Sequence, residues 1–362
     1  MEPLAGWRIA VTADRRAEEQ AQMLTSRGAT VLPARLVTTE PCDEDELRRR
    51  TERLIADPPH VVVANTAIGM RTWIAKAWSW GVGAALLDVL RGATVVARGT
   101  KAAAALLTED VPVAWRSEVE TLADLGDHLF AAGVAGRRVA LQLDGRLDPG
   151  LSDRLRAAGA AVVDVPVYCV VAEPEGAGAR RLASALSAGD VDAITFTAPA
   201  AVEAYADLGV DPSLVHVCVG PVTAAAARNR GLDPVIVPDH SRLGPMVRAL
   251  SIAMAARART AELAGRTARL QGSAFRIGDH DVQLTPRERA LLEALVDARG
   301  AVVSKAALAR TAWVDDVDEH AVEVAVNRLR RKLGPGSAAL ETTNRRGYRL
   351  VVDVPFGRRN LA

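Results

Sequence analysis

Between His320 and Lys332 the chain gathers groups able to grip or read a polyanion: His320, Asn327, Arg328, Arg330, Arg331 and Lys332, with Val324 among them. Arginine can donate a bidentate pair of hydrogen bonds to a guanine edge and asparagine can do the same for adenine. Other cations neutralise phosphates and release their counterions. A charge run alone is equally the mark of a solvated helix face, so the surrounding elements must separate the two readings.

Val322, Val326, Leu329 and Leu333 recur at i, i+4, i+7 and i+11, which at about 100° per residue makes one narrow apolar stripe. His320, Val324, Asn327, Arg328 and Arg331 fall opposite it, with Arg330 and Lys332 on the flanks. Asp318 is placed to cap the helix, and Gly334-Pro335-Gly336 to stop it. Upstream, Thr285-Pro286-Arg287-Glu288 has the form of a capping box with proline in the first turn. The helix it opens ends at Gly300. Ser304 caps a shorter one reaching Trp313, and Thr342 to Leu350 reads as a hairpin whose turn carries Arg345 and Arg346.

Helix, helix, basic helix and hairpin in this order resemble the winged helix-turn-helix effector domains of OmpR/PhoB-type response regulators. The resemblance covers residues 273–352 and rests on Leu284-Thr285-Pro286-Arg287-Glu288, Val303-Ser304-Lys305, Trp313, the run from Val326 to Leu333, and Arg346-Gly347-Tyr348-Arg349. It implies that the third helix enters the major groove of double-stranded promoter DNA and that the wing reaches a minor groove. His320, Val324, Asn327, Arg328, Arg330 and Arg331 would then face bases or phosphates, with Arg345 and Arg346 at the wing tip. The family usually has Arg-Gly where this wing has Asn344-Arg345. A single module binds weakly, so a dimer or tandem binding is expected.

Composition agrees. From Ala261 onward there are 17 basic and 13 acidic residues, a net charge of +4, which leaves −3 for the rest of a chain whose total is +1. Cys42, Cys169 and Cys218 are far apart in sequence, lack metal-ligand spacing, and read as buried reduced thiols. No histidines pair at i, i+4, so no metal site is expected. No apolar run approaches a membrane span, and the N-terminus leads straight into a strand without a signal peptide, so a cytoplasmic protein is expected.

The N-terminal two-thirds is a duplication. Ala5-Gly6-Trp7-Arg8-Ile9-Ala10-Val11 returns as Ala135-Gly136-Arg137-Arg138-Val139-Ala140-Leu141. Residues 60–67 echo 192–199, and 96–103 echo 218–225. Near-continuous apolar strands alternating with helical patterns predict an α/β fold of two parallel-sheet lobes, each covered on both faces, followed by a small α+β winged helix domain. Strand candidates at 34–39 and 166–171 link the halves.

This order of motifs resembles uroporphyrinogen-III synthase over residues 4–250. The resemblance implies lobe one from 1–34 with 172–252, lobe two from 40–165, and a linker at 253–272 before the winged helix domain at 273–352. The last residues, 353–362, read as a mobile tail. That family cyclises the linear tetrapyrrole hydroxymethylbilane and inverts its last ring without metal or cofactor. The carboxylate-rich substrate suits an inter-lobe cleft lined by helix N-termini. Carried over residue by residue, Tyr168 and Thr223 are the catalytic candidates, and Thr12, Arg15, Thr66, Thr197 and Gly220 the ligand-binding ones. Tyr168 equally suits an ordinary strand aromatic, and Thr223 a helix N-terminal hydroxyl.

Departures from the pattern favour sensing over catalysis. The Thr-Ser step is Asn65-Thr66 in one lobe and Thr197-Ala198 in the other, Ala102 stands where the counterpart of Thr223 has threonine, and the Thr-Arg-Pro turn is Thr12-Ala13-Asp14-Arg15. The sequence therefore predicts a transcription regulator that senses a small anionic ligand, with an active uroporphyrinogen-III synthase fused to a DNA-binding module as the competing class. A third reading keeps the lobes only to contact another transcription factor.

Overall fold

The computed structural model describes residues 2–143, 149–313 and 317–358. The chain divides into two compact units, Met1–Val37 with Ala172–Ala362, and Thr38–Val171. In the second unit a parallel sheet runs in the order Trp115–Arg116, Thr94–Ala97, Val61–Ala64, Arg138–Leu143, Ala161–Pro166. Its central strand is apolar throughout because helices cover both faces. Val62 and Ala64 pack with Met70, Trp73 and Leu86, while Val61 and Val63 pack with Leu125, Leu129 and Leu155.

The first unit repeats that order: Val235–Ile236, Val215–Cys218, Ala193–Phe196, Arg8–Val11, Thr30–Pro33. Ile9 lies beside Ala193 as Val139 lies beside Val61, so the duplicated motifs occupy equivalent strands. The α/β fold of two parallel-sheet lobes is thus present. The linking strands are Val37–Pro41 and Tyr168–Ala172. Cys42 and Cys169, 127 positions apart, come within 2.8 Å and are only half-buried, which corrects the expectation of separate buried thiols. Cys218 is buried, and burial pushes its thiol up to about 12.

Two expectations about connections are corrected. Residues 253–272 form no linker: the helix Leu243–Arg257 leads into the strands Arg259–Leu263 and Arg266–Gln271. Ala261, Leu263, Ala268 and Leu270 are buried, an alternation hidden in the sequence because half of the inward residues are alanine. Nor is 353–362 simply a tail, because Val354–Arg358 pairs antiparallel with Arg259–Leu263. Residues 359–362 lie outside the described residues. These strands join Ala274–Ile277 and His280–Gln283 in an antiparallel sheet. The helices Pro286–Asp297, Lys305–Ala312 and Glu319–Lys332 pack with it around Phe275, Leu291, Leu308, Val326 and Leu329. No helix among the described residues is long and apolar enough to cross a membrane.

Lobe one holds a buried histidine with a measurable consequence. His216 is 3% exposed and meets the Tyr205 hydroxyl through Nε2 at 3.2 Å. Burial, assisted by Arg257, lowers its pKa from 6.5 to about 4 against an opposing pull from Asp211. The unfolded chain therefore binds this proton first. The stabilising contribution is complete above pH 6.5 and lost as pH falls towards 4, about 3 kcal/mol in all. Urea unfolding at pH 7 and pH 4.5 should show this fall in wild type and a smaller one in His216→Asn; equal falls in the two proteins would contradict the assignment.

Candidate nucleic-acid interface and strand-end sites

The basic helix is fixed at its start by Asp318, whose carboxylate accepts from the Ala321 N–H at 2.8 Å. Val322, Val326, Leu329 and Leu333 are buried, together with Ala325, so the stripe anchors one side. His320, Val324, Asn327, Arg328 and Arg331 are exposed on the other. The helix ends at Lys332, and Gly334–Ala339 continues as a 3-10 turn. Lys305 bonds to Glu319 and Glu323 at 2.9 and 2.6 Å, so the carboxylates near the start of this helix are neutralised from the neighbouring helix.

Arg330 differs from its neighbours. Its guanidinium donates to the Leu340 carbonyl at 3.0 Å, to Asn327 Oδ1 at 2.7 Å and to Thr342 Oγ1 at 2.9 Å. This corrects its assignment as a DNA-facing group: it ties the helix to the hairpin. It also orients Asn327, whose carbonyl is engaged while its NH2 remains to donate, which favours a purine N7 or a phosphate over bidentate adenine pairing. Lys332 is likewise turned inward, donating to the Gln283 carbonyl at 3.0 Å and Glu288 at 2.6 Å.

The wing joins Leu340–Thr343 to Gly347–Leu350, with Thr343 paired to Gly347 and Asn344, Arg345 and Arg346 exposed at the turn. Arg345 sits at φ 56, a left-handed conformation that costs an L-residue about 1–2 kcal/mol. Gly347, at φ +127, brings its Cα so close to Val303 that an added Cβ would lie 2.0 Å from the Val303 carbonyl oxygen. Arg345→Gly should therefore relieve strain while removing one exposed positive charge. We expect a wing of equal or greater stability and a salt-dependence slope lower by about 1; an unchanged slope would show that Arg345 stays clear of DNA.

The winged helix domain is locked to lobe one by contacts the sequence did not announce. Gln271, fully buried, donates through Nε2 to the carbonyls of Ala5 at 2.8 Å, Glu2 at 2.9 Å and Pro3 at 3.2 Å. Ser273 N–H donates to the Gly6 carbonyl at 2.8 Å. Gly6 and Gly272 both have positive φ, and a Cβ on Gly272 would lie 2.2 Å from the Gly6 carbonyl oxygen, so backbone meets backbone there. Arg289 pairs with Asp192 at 2.6 Å and stacks on Trp7 at 5.5 Å, while Asp192 also accepts from the Arg8 N–H at 2.8 Å.

These contacts touch the starting ends of two central strands. Arg8–Val11 runs from the joint to the turn at Thr12 and Arg15, and Ala193–Phe196 runs from Asp192 to Thr197. Four strand residues span about 13 Å, so joint and strand ends are linked by short rigid elements.

At those ends Thr12 is not available to a ligand. It is fully buried and donates to the Thr195 carbonyl at 2.7 Å, while Thr195 Oγ1 accepts from Gln20 at 2.7 Å. Arg15 is exposed and Thr197 half-buried. A groove of about 380 Å³ lies beside Asp14, Arg16, Pro33 and Arg35. Its arginines are already paired, Arg16 with Glu19 at 2.6 Å and Arg35 with Glu173 at 3.2 Å, so an incoming carboxylate would share them with a resident one. Gly220 precedes the helix Pro221–Asn229, and Thr223 is buried in its first turn.

In the second unit two candidates 102 positions apart come together. The Tyr168 hydroxyl donates to Thr66 Oγ1 at 3.3 Å, and Thr66 caps the helix Ala67–Ser79 by accepting from the Gly69 N–H at 3.1 Å. Gln142 accepts from the Thr66 N–H at 2.9 Å. Asn65, which the sequence marked only as a departure from the Thr-Ser step, and Ser117, which it did not mark, follow the strands Val61–Ala64 and Trp115–Arg116. Both are buried, with Asn65 Oδ1 and Ser117 Oγ lacking a hydrogen-bond partner among the described residues. Such atoms at the carboxyl ends of parallel strands are where ligands of open α/β sheets bind.

Comparison with known proteins agrees with this architecture. The family described as Uroporphyrinogen-III synthase HemD matches residues 18–248, and that described as Transcriptional regulatory protein, C terminal, matches residues 279–350. A mutant uroporphyrinogen III synthase from the extremely thermophilic bacterium Thermus thermophilus is similar with 30% identity and a TM-score of 0.57, over 68% of this chain and 98% of that one. The uncharacterized protein YjjA of Bacillus subtilis is 26% identical over 67% of this chain and 94% of its own length. The transcriptional regulatory protein CutR of Streptomyces coelicolor is 44% identical over 78 residues, 21% of this chain and 35% of its own. The chain therefore belongs to the uroporphyrinogen-III synthase family, here fused to a C-terminal DNA-binding winged helix domain of the response-regulator type.

Proposed function

We propose that the chain is a transcription regulator that binds promoter DNA through Asn327, Arg328, Arg331, Arg345 and Arg346, with His320 and Val324 completing the groove-facing side of the helix. The synthase-like lobes sense a small anionic ligand of the tetrapyrrole class. The observation that carries this reading is that the domain is locked to lobe one through its sheet and first helix while its arginine face stays exposed. Val324 would meet a thymine methyl, and two copies would occupy tandem half-sites.

Each lobe would offer ligand contacts at its own strand ends, Thr66, Tyr168, Asn65 and Ser117 in one unit and Arg15, Thr197, Gly220 and Thr223 in the other. Because the strands leading to Arg15 and Thr197 start at the joint, a ligand that prefers one arrangement of those ends shifts the DNA-binding domain by its difference in affinity between the two states. The test is DNA affinity with and without saturating hydroxymethylbilane or its cyclised product. Sensing predicts displaced curves, and superimposable curves would remove it.

The second reading is retained catalysis, favoured by the Tyr168–Thr66 contact at a helix N-terminus. Formation of the inverted-ring isomer from hydroxymethylbilane faster than the spontaneous product would establish it. Loss of that activity in Tyr168→Phe would place the hydroxyl in the reaction.

A further inference from the structure

Cys42 directly follows the strand Val37–Pro41, and Cys169 lies in its partner Tyr168–Ala172. The pairing is antiparallel, with the Glu173 N–H donating to the Leu36 carbonyl at 2.8 Å at one end and the Cys42 N–H donating to the Val167 carbonyl at 3.3 Å at the other. The two sulfurs are 2.8 Å apart, closer than non-bonded contact of two sulfur atoms, and both residues are half-buried and open to small reagents. Cys218, by contrast, is buried in the other unit. The chain passes from one unit to the other at these two strands and nowhere else.

We propose that Cys42 and Cys169 form a reversible disulfide that ties the two crossings together and closes the intervening chain into a covalent loop, so that the protein takes a redox input besides any ligand. The oxidant is a low-molecular-weight disulfide. One protein thiolate attacks it, forming a mixed disulfide and releasing one small thiol. The second protein thiolate then attacks the protein sulfur of that mixed disulfide, forming the internal S–S bond and releasing the second small thiol. Two protein thiols are thus oxidised while one external disulfide is reduced to two thiols, and thiol reductants run the exchange backwards. A link closing so long a loop also restricts the unfolded chain.

The experiment uses the full chain, fully reduced and then equilibrated with glutathione disulfide, unfolded and alkylated. The expected result is alkylation of Cys218 alone, a peptide pair joining Cys42 to Cys169, reversal by dithiothreitol, and a higher unfolding midpoint for the oxidised form. Cys42→Ser should give only a glutathione adduct on Cys169 and no rise in midpoint. Three alkylated cysteines in the oxidised wild type, separate glutathione adducts on Cys42 and Cys169, or a lowered midpoint would each overturn the proposal.

Discussion

Replacing Arg328 and Arg331 together by alanine should remove sequence-specific DNA binding while leaving the fold intact. Both side chains are exposed on the face opposite the buried stripe. Among the described residues neither has the intramolecular guanidinium bonds that occupy Arg330. A bidentate contact to a base is worth about 1–3 kcal/mol of discrimination, so the pair should reduce the ratio of specific to non-specific affinity by a factor of ten at the least. Arg330→Ala should behave differently. It frees the hairpin from the helix, so the melting temperature should fall along with affinity for all sequences. If the double variant keeps full specificity, these arginines do not read bases.

The second large effect belongs to the joint. Arg289→Ala removes the partner of a carboxylate that is 7% exposed, leaving Asp192 only the Arg8 N–H among the contacts described above. Stranding one member of a buried pair costs about 3–5 kcal/mol. Because Arg289 also covers Trp7, the loss should appear as destabilisation of lobe one as well as of the winged helix domain. Asp192→Ala in the Arg289→Ala background should recover part of it, and the double-mutant cycle gives the coupling directly. Additive losses would mean the ion pair contributes nothing to the joint. Under the sensing reading Arg289→Ala should also shrink any ligand-dependent change in DNA affinity, since the two strands that start at the joint lose their tie to the first helix.

The parts of this protein that the sequence revealed are those encoded locally. The stripe from Val322 to Leu333, the capping box at Thr285 and the N-caps at Ser304 and Asp318 each depend on neighbours within a turn or two, and all are present. The paired motifs at 60–67 and 192–199 marked the central strands because a strand covered on both faces must be apolar throughout.

Contacts between distant residues were not legible. The strand Arg259–Leu263 pairs with Val354–Arg358 near the other end of the domain, and alanines on its inner face looked too small to signal a core. The joint is made largely of backbone carbonyls accepting from Gln271 and Ser273, groups present in any sequence. Thr12 was expected at a ligand because its type and position fit, yet its hydroxyl is used by Thr195. Cys42 and Cys169 showed no spacing because their meeting depends on strand pairing across 127 positions.

Capture of genomic fragments by the purified full-length chain, followed by sequencing of what is retained, tests the central claim most directly. The account predicts a small set of fragments sharing a repeated half-site, with copies spaced by about one helical turn, and loss of that enrichment in the Arg328→Ala/Arg331→Ala variant. Recovery without sequence preference, or the same enrichment from the variant, would contradict it.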